Sequence, residues 1–292
     1  MDSNLLKYRA FVKTVEVGSF TKAAESLNYA QSSVSKMIAD LEKEWGIPLL
    51  QRSKSGICLT SFGEEVLPYA RRILRDFEDL EQQIDRINGI QSGIVRIGTF
   101  SSVAINWLPD VFAKFQKDYP GIDYEMLMGD YKEVEQWVEE GRVDCGFLRL
   151  PATEKLDSVS LKKDEYKVVL PMDHPLALAE CVDIHDLEGE PFLLLEHGGK
   201  TEVSEILERY HVHPQIRFTT WEDYAIMSMA EKGLGIGILP GLILQRIPYR
   251  IAIRPLREPY YREIGLVMKD KKHLAPAVEK FMEYLDFLPD KN

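Results

Sequence analysis

Apolar positions in the first sixty residues recur at helical spacing. Leu5, Tyr8, Phe11, Val12 and Val15 give one apolar face to a helix over residues 4–17, and Gly18 ends it. Ser19 is placed to cap a second helix over residues 21–27, with Phe20, Ala23, Ala24 and Leu27 facing inward. Asn28-Tyr29-Ala30 is a turn. A third helix is predicted from Gln31 to Trp45, with Val34, Ile38, Leu41 and Trp45 inward, closed by Gly46 and stopped by Pro48. Three short helices joined by tight turns make a small bundle. Leu49 to Thr60 then reads as a hairpin with a basic tip, carrying Arg52 and Lys54 around Ser55-Gly56: a wing.

Thr60 to Asn88 is the longest helical pattern, capped by Thr60 or Ser61, with Glu64 and Glu65 in its first turn. Ala70, Phe77 and Ile84 repeat every seven residues, as do Ile73, Leu80 and Ile87, offset by three. That is an a/d seam. A long helix leaving a small head needs something to cover such a seam, either a second copy or the chain's own body, and dimerisation is expected.

Ile90-Gln91-Ser92-Gly93 marks a boundary, after which the pattern alternates strand and helix. Strands are predicted at 94–100, 122–128, 144–148, 167–171, 192–195, 215–219, 236–239 and 264–268. Helices are predicted at 104–118, 132–140, 203–210, 224–232 and 275–287. Such alternation means mainly parallel sheets covered by helices. The fold class is therefore α/β overall behind a helical head. Three domains are expected: a head over 1–60, a linker helix over 61–90 and a body over 91–292. The body divides into one lobe at about 91–163 with 266–292 and a second at about 164–265.

Charge sharpens this division. The 292-residue chain carries a net −11, which argues against nucleic acid, yet the head alone is +2, the linker −3 and the body −10. A small basic face on an acidic body can dock to phosphate while limiting unspecific adhesion. The composition, 45% hydrophobic and 28% charged, is that of a globular chain. No apolar run is long enough for a membrane span, since Gly233 to Leu244 is broken by Pro240. The first residues lack a secretory pattern, and Cys58, Cys145 and Cys181 form no paired spacing, so a reducing cytoplasm fits.

The exposed start of the third helix carries candidate DNA chemistry. Gln31 can pair bidentately with adenine, Ser32, Ser33 and Ser35 can bond bases or phosphate or simply solvate the helix, and Lys36 can neutralise phosphate. Arg52 and Lys54 on the wing add charge. At these residues the chain resembles the LysR-type transcriptional regulators. The resemblance lies in Phe11-x3-Val15-x2-Gly18-Ser19-Phe20-x2-Ala23-Ala24-x2-Leu27, Gln31-x3-Ser35-x2-Ile38-x2-Leu41-Glu42, Gly46-x-Pro48-Leu49-x2-Arg52 and Leu59-Thr60-x2-Gly63. It departs at Ser32, where the family usually has proline. Looser motifs continue into the body: Gly93-x-Val95-x-Ile97-Gly98, Gly141-x2-Asp144-x-Gly146-Phe147, His174-Pro175-Leu176 and Gly233-x-Gly235-Ile236-x-Ile238-Leu239-Pro240. The resemblance implies a winged helix-turn-helix, a linker helix and a two-lobed, periplasmic-binding-protein-like (Rossmann-like) effector domain. It also implies a small-molecule co-inducer in the cleft, and a homodimer or homotetramer on a promoter inverted repeat in double-stranded DNA. RNA polymerase is a further candidate partner.

In open α/β sheets ligands sit beyond the carboxyl ends of the strands. Those ends carry Ser101 and Ser102, Gly129 and Asp130, and Arg149, with Glu196, His197, Thr201 and Thr219 from the second lobe. Ser101 and Ser102 begin a helix, so they either cap it or form an anion-ready corner. Arg149 suits a carboxylate. Asp130 and Glu196 either pair with Arg149 or accept a cationic group, which leaves an anionic and an amphoteric effector open. No HExxH, GxSxG or P-loop occurs, so no catalytic set, cofactor or metal is expected. His211 and His213 beside Pro214 read as solvated loop residues. The competing reading is a solute-binding module or small-molecule enzyme whose N-terminal bundle only oligomerises.

Overall fold

The computed structural model describes residues 3–53, 56–87, 93–196 and 201–287. Its first helices are α1 (Ser3–Val17), α2 (Phe20–Leu27) and α3 (Gln31–Trp45). The Ser19 side chain accepts from the Lys22 amide at 3.4 Å, starting α2 as its sequence position predicts. Strands β1 (Leu50–Ser53) and β2 (Gly56–Leu59) pair antiparallel as the wing. Then α4 (Ser61–Ile87) begins, with the Thr60 hydroxyl accepting from the Gly63 amide at 3.0 Å. A Cβ at Gly63 would lie 2.2 Å from the Leu49 carbonyl oxygen, so only glycine lets α4 start this close to the wing.

The head has its own core of Ala10, Phe11, Val12, Ala23, Ala24, Val34, Ile38, Leu41 and Leu49. Leu67, Ala70 and Leu74 of α4 join it. Ala70 therefore belongs to the head and not to the heptad seam, because the first turns of α4 lie against α1. Further along, Ile73, Leu80 and Ile84 are 45%, 54% and 48% exposed. The seam is thus not covered by the chain's own body at these positions; the side chain of Ile87 lies outside the described residues. The opposite side of α4 is tied to the body: Arg71 bonds Glu140 at 2.8 Å, Arg75 approaches Asp144 at 3.4 Å, and Glu78 pairs with Arg96 at 3.0 Å.

The body alternates as follows: β3 (Gly93–Thr99), α5 (Ser101–Asn106), α6 (Leu108–Asp118), β4 (Ile122–Met128), α7 (Tyr131–Glu139), β5 (Cys145–Leu150), β6 (Asp157–Pro171), β7 (Pro191–Leu195) and α8 (Glu202–Arg209). It continues with β8 (Gln215–Thr220), α9 (Asp223–Glu231), β9 (Ile236–Pro240), β10 (Ile251–Pro255), β11 (Tyr261–Met268) and α10 (Pro276–Glu283). Three differences from the sequence pattern have physical causes. The helix expected over 104–118 is two, since Pro109 lacks an N–H and forces a new start after Trp107. Strand β6 starts ten residues before Lys167: Val159 and Leu161 alternate with exposed Ser158 and Ser160 and pack against the core, and the stretch pairs with β11. Strand β10, whose successive apolar Ile251, Ala252 and Ile253 show no alternation, pairs antiparallel with β6.

The strand order is β4-β3-β5-β11-β6-β9-β7-β8, with β10 on β6. Strands β3, β4 and β5 are parallel, as are β7, β8 and β9, each set covered by helices. Strand β6 serves both sections: 157–165 pairs with β11, and 166–171 with β9 and β10. One core packs beneath β3, β5 and β11 around Phe115, Phe147 and Phe281, another beneath β6, β7 and β9 around Tyr166, Phe192 and Ile206. The glycines of Gly233-x-Gly235-x-Gly237 serve packing: a Cβ on Gly235 would stand 2.7 Å from the Pro191 carbonyl oxygen.

Candidate functional site

Two surfaces are built for binding. On the head, Val34, Ile38 and Leu41 hold α3 into the core. That places Gln31, Ser32 and Lys36 outward and exposed, with Ser33 and Ser35 half-buried beside them. The N-cap, Ala30, has no side-chain hydrogen bond to offer, so the Gln31 and Ser32 amides have no capping side chain, while the Ser33 amide bonds the Ala30 carbonyl at 3.0 Å. Glu42 fastens the wing to α3 by accepting from the Leu49 and Leu50 amides at 2.7 and 3.1 Å. Arg52 stands in β1 opposite Ile57; Lys54 lies outside the described residues.

In the body a cavity of about 780 Å³ opens between the two sheet sections, within the range of small-molecule sites. The strands point their carboxyl ends at it. Seven of the residues read from the sequence lie on its wall: Ser101, Ser102, Gly129, Asp130, Arg149, Glu196 and Thr201. Thr219 does not. It sits exposed on β8, paired with Leu194, and the next residues turn in instead, bringing Trp221, Glu222 and Asp223 to the wall. His197 lies outside the described residues.

Several of these side chains have partners the sequence did not disclose. Asp130 caps α7, accepting from the Glu133 amide at 2.8 Å, while Glu133 returns a bond to the Asp130 amide. Glu196 accepts from the Ser204 hydroxyl at 3.1 Å, and the Thr201 hydroxyl donates to the Leu195 carbonyl at 2.8 Å. Arg149 pairs with neither Asp130 nor Glu196. It donates to Glu205 at 2.8 Å and lies 3.9 Å from Glu202, both on α8, whose first turn faces the end of β5.

The centre of the cavity is a residue that sequence reasoning missed. Arg262 of β11 is buried, and donates to Asp164 Oδ2 from Nε (2.9 Å) and Nη2 (2.7 Å), to the Tyr131 hydroxyl at 2.7 Å and to Ser102 Oγ at 2.7 Å. Its guanidinium lies 5.0 Å from the Phe100 ring centroid. Burial alone would lower its pKa; Tyr131, Tyr166 and Asp164 together hold it above its ordinary value. Burial pushes Asp223 up to about 6, against the pull of Arg262, and pushes the Tyr131 phenol up as well. Ser102 is thus occupied by Arg262, and α5 behind it is only six residues long. The corner expected there has little helix behind it, and Ser102 Oγ accepts from Arg262 while its O–H remains a donor.

The N-terminal residues 5–64 match the model of the bacterial regulatory helix-turn-helix proteins of the lysR family, and residues 88–287 match the LysR substrate binding domain. The chain belongs to the LysR family of transcriptional regulators. It is accordingly a DNA-binding regulator with an effector-binding domain. It is 34% identical to LrrA, a probable HTH-type transcriptional regulator of Synechococcus elongatus, over 97% of this chain and 96% of that one. It is 31% identical to YvbU of Bacillus subtilis, named as an uncharacterized HTH-type transcriptional regulator, over 96% of each. A full-length OxyR variant from Pseudomonas aeruginosa shares the fold, with a TM-score of 0.75 at 21% identity over 97% of both chains. Among the described residues, no helix is long and apolar enough to cross a membrane.

Within this LysR-family chain, a signal for Arg262 was present but faint. Arg262, Ile264, Leu266 and Met268 alternate on one buried face of β11, and Asp164, Tyr166, Val168 and Leu170 do so on β6. Extending each apolar alternation two residues upstream reaches a charged residue, and the two charges are opposite in sign.

Proposed function

We propose that this regulator works as a homodimer or homotetramer in the cytoplasm, on an interrupted inverted repeat near a promoter, with RNA polymerase as its eventual contact. Gln31, Ser32, Ser33, Ser35 and Lys36 enter the major groove, and Arg52 and Lys54 follow the backbone. The exposed stripe of Ile73, Leu80 and Ile84 joins two copies and so sets the spacing of two heads that are each only weakly cationic. The body acts as two lobes, residues 91–163 with 266–292 and residues 164–265. A small-molecule co-inducer closes on the cavity between them through Ser101, Gly129, Asp130, Arg149, Glu196 and Thr201, together with Arg262 and Tyr131.

The observation that carries this reading is the cavity itself. It is of ligand size, and its wall draws Ser101, Asp130 and Arg149 from one sheet section and Glu196, Thr201 and Asp223 from the other. A bound molecule touching both walls changes their angle, and α4 is tied to the body through Arg71, Arg75 and Glu78. Fluorescence anisotropy on DNA from upstream of the protein's own and neighbouring genes, over a range of salt, is the test. Specific fragments should bind far more tightly than scrambled ones. Equal, salt-insensitive affinity for all fragments would remove the reading.

A further inference from the structure

Among the described residues, the cavity wall carries more acid than base. Asp130, Glu133, Glu196, Glu202, Glu222 and Asp223 line it, against Lys132, Arg149 and Arg262. Arg262 is committed to Asp164, and Arg149 makes its short bond to Glu205, which is not on the wall. Glu202 is left at 3.9 Å from Arg149, beyond hydrogen-bond range, and its Oε1 is buried with no hydrogen-bond partner. The Tyr131 hydroxyl accepts from Arg262 and in turn hydrogen-bonds the Glu202 carboxylate, so Oε1 is the atom left over. Asp223 is likewise buried, at the start of α9 with Arg262 near it, and among the described residues it makes no ion pair.

Both carboxylates sit in the first turn of a helix, where the backbone dipole favours their charged form. Arg149 and Arg262 answer these two charges only in part, since each makes its short bonds to another carboxylate; a buried carboxylate so placed is unfavourable, and a cation arriving from solvent relieves it. The remaining wall fits an organic cation. Phe100, Tyr131, Tyr166 and Trp221 present aromatic surface, to which an ammonium group is attracted. A metal ion is not favoured: among the described residues, no group of three His, Cys, Asp or Glu is placed to hold one.

We propose that the effector of this regulator carries a protonated amine, held by Glu202 and Asp223, with its carbon skeleton against the aromatic wall. The proposal rests on the reading of this cavity as the effector site. It chooses between the two ligand chemistries that the sequence left open: among the described residues, a purely anionic ligand would face Glu202 and Asp223, while Arg149 and Arg262 are already engaged by Glu205 and Asp164.

The test is a thermal-shift and tryptophan-fluorescence titration of the full chain with three matched series of compounds: primary amines, α-amino acids, and the same skeletons as carboxylic acids lacking the amine. Amine-bearing compounds should bind about tenfold or more tighter than the matched acids. Glu202→Gln and Asp223→Asn should each weaken amine binding by about thirtyfold or more while leaving any binding of the acids unchanged. If Asp223→Asn does not fold, Glu202→Gln and the order of the three series on the natural chain decide. Binding confined to the acids, or full amine affinity in both variants, overturns the proposal while leaving the cavity as an effector site. Binding by no series overturns the effector-site reading, and this proposal falls with it.

Discussion

Arg262 on β11 lies directly opposite Asp164 on β6, and the pair is 4% and 6% exposed. The carboxylate also accepts from the Leu242 amide at 2.8 Å through Oδ1, so it is fixed from two sides. Removing the cation leaves a buried charge unanswered. Arg262→Ala is expected to cost about 3–5 kcal/mol in urea unfolding, whereas Arg262→Met combined with Asp164→Leu should cost much less. A loss below about 1 kcal/mol for the single change would mean that solvent reaches Asp164.

On the head, the exposed start of α3 is expected to divide its work. Gln31→Ala should cost about 1–3 kcal/mol on the best DNA site and relax preference at one base position, while Lys36→Ala weakens all sequences alike and lowers the salt slope by about one. Binding profiles over a randomised-site library distinguish the two. An unchanged profile for Gln31→Ala would show that it does not read a base.

The wing depends on Glu42, whose Oε1 receives two backbone amides from the start of the hairpin. Glu42→Ala should destabilise the head by about 1.5–3 kcal/mol, the usual worth of hydrogen bonds to a charged group. Hydrogen exchange should accelerate at Leu49 and Leu50 while the amides of α6 stay protected. Uniform acceleration through the whole chain would place the role of Glu42 elsewhere.

The stripe on α4 predicts assembly. Ile73→Glu together with Leu80→Glu puts two charges on the exposed seam, where a partner helix would have to bury them at considerable cost. Light scattering should then report the mass of one chain in place of a multiple, with weakened DNA binding. An unchanged mass would show that the seam does not join two copies.

Acidity should act on Asp223 in two opposite senses. Its folded value is raised from 3.8 to about 6, first by burial and then by Glu222 and Asp164, against Arg262. A carboxyl raised on folding takes up its proton first in the folded state, so its contribution to stability is full below about pH 4 and is lost as pH rises through about 6. Relative to Asp223→Asn, the natural chain should therefore gain thermal stability on acidification across that window. Binding of an amine needs the ionised form and should weaken across the same window. A stability difference that is flat with pH would contradict the raised value.

What the sequence determined by itself is everything that rests on local period. The three helices, the Ser19 cap and the outward face of Gln31, Ser32 and Lys36 follow from apolar spacing of three and four, because a helix places those residues side by side. The walls at Ser101, Asp130, Arg149 and Glu196 were legible because the carboxyl ends of parallel strands meet at one crevice. Tertiary structure alone decided how those residues are used. It drew Ala70 out of the seam into the head and turned Thr219 outward on an edge strand. It gave Arg149 to Glu205, and brought Arg262 to Asp164, Tyr131 and Ser102 across 98, 131 and 160 residues of chain. Charges choose partners by distance and desolvation, and both depend on how β6 and β11 cross between the two sheet sections, a long-range pairing with no local period to announce it.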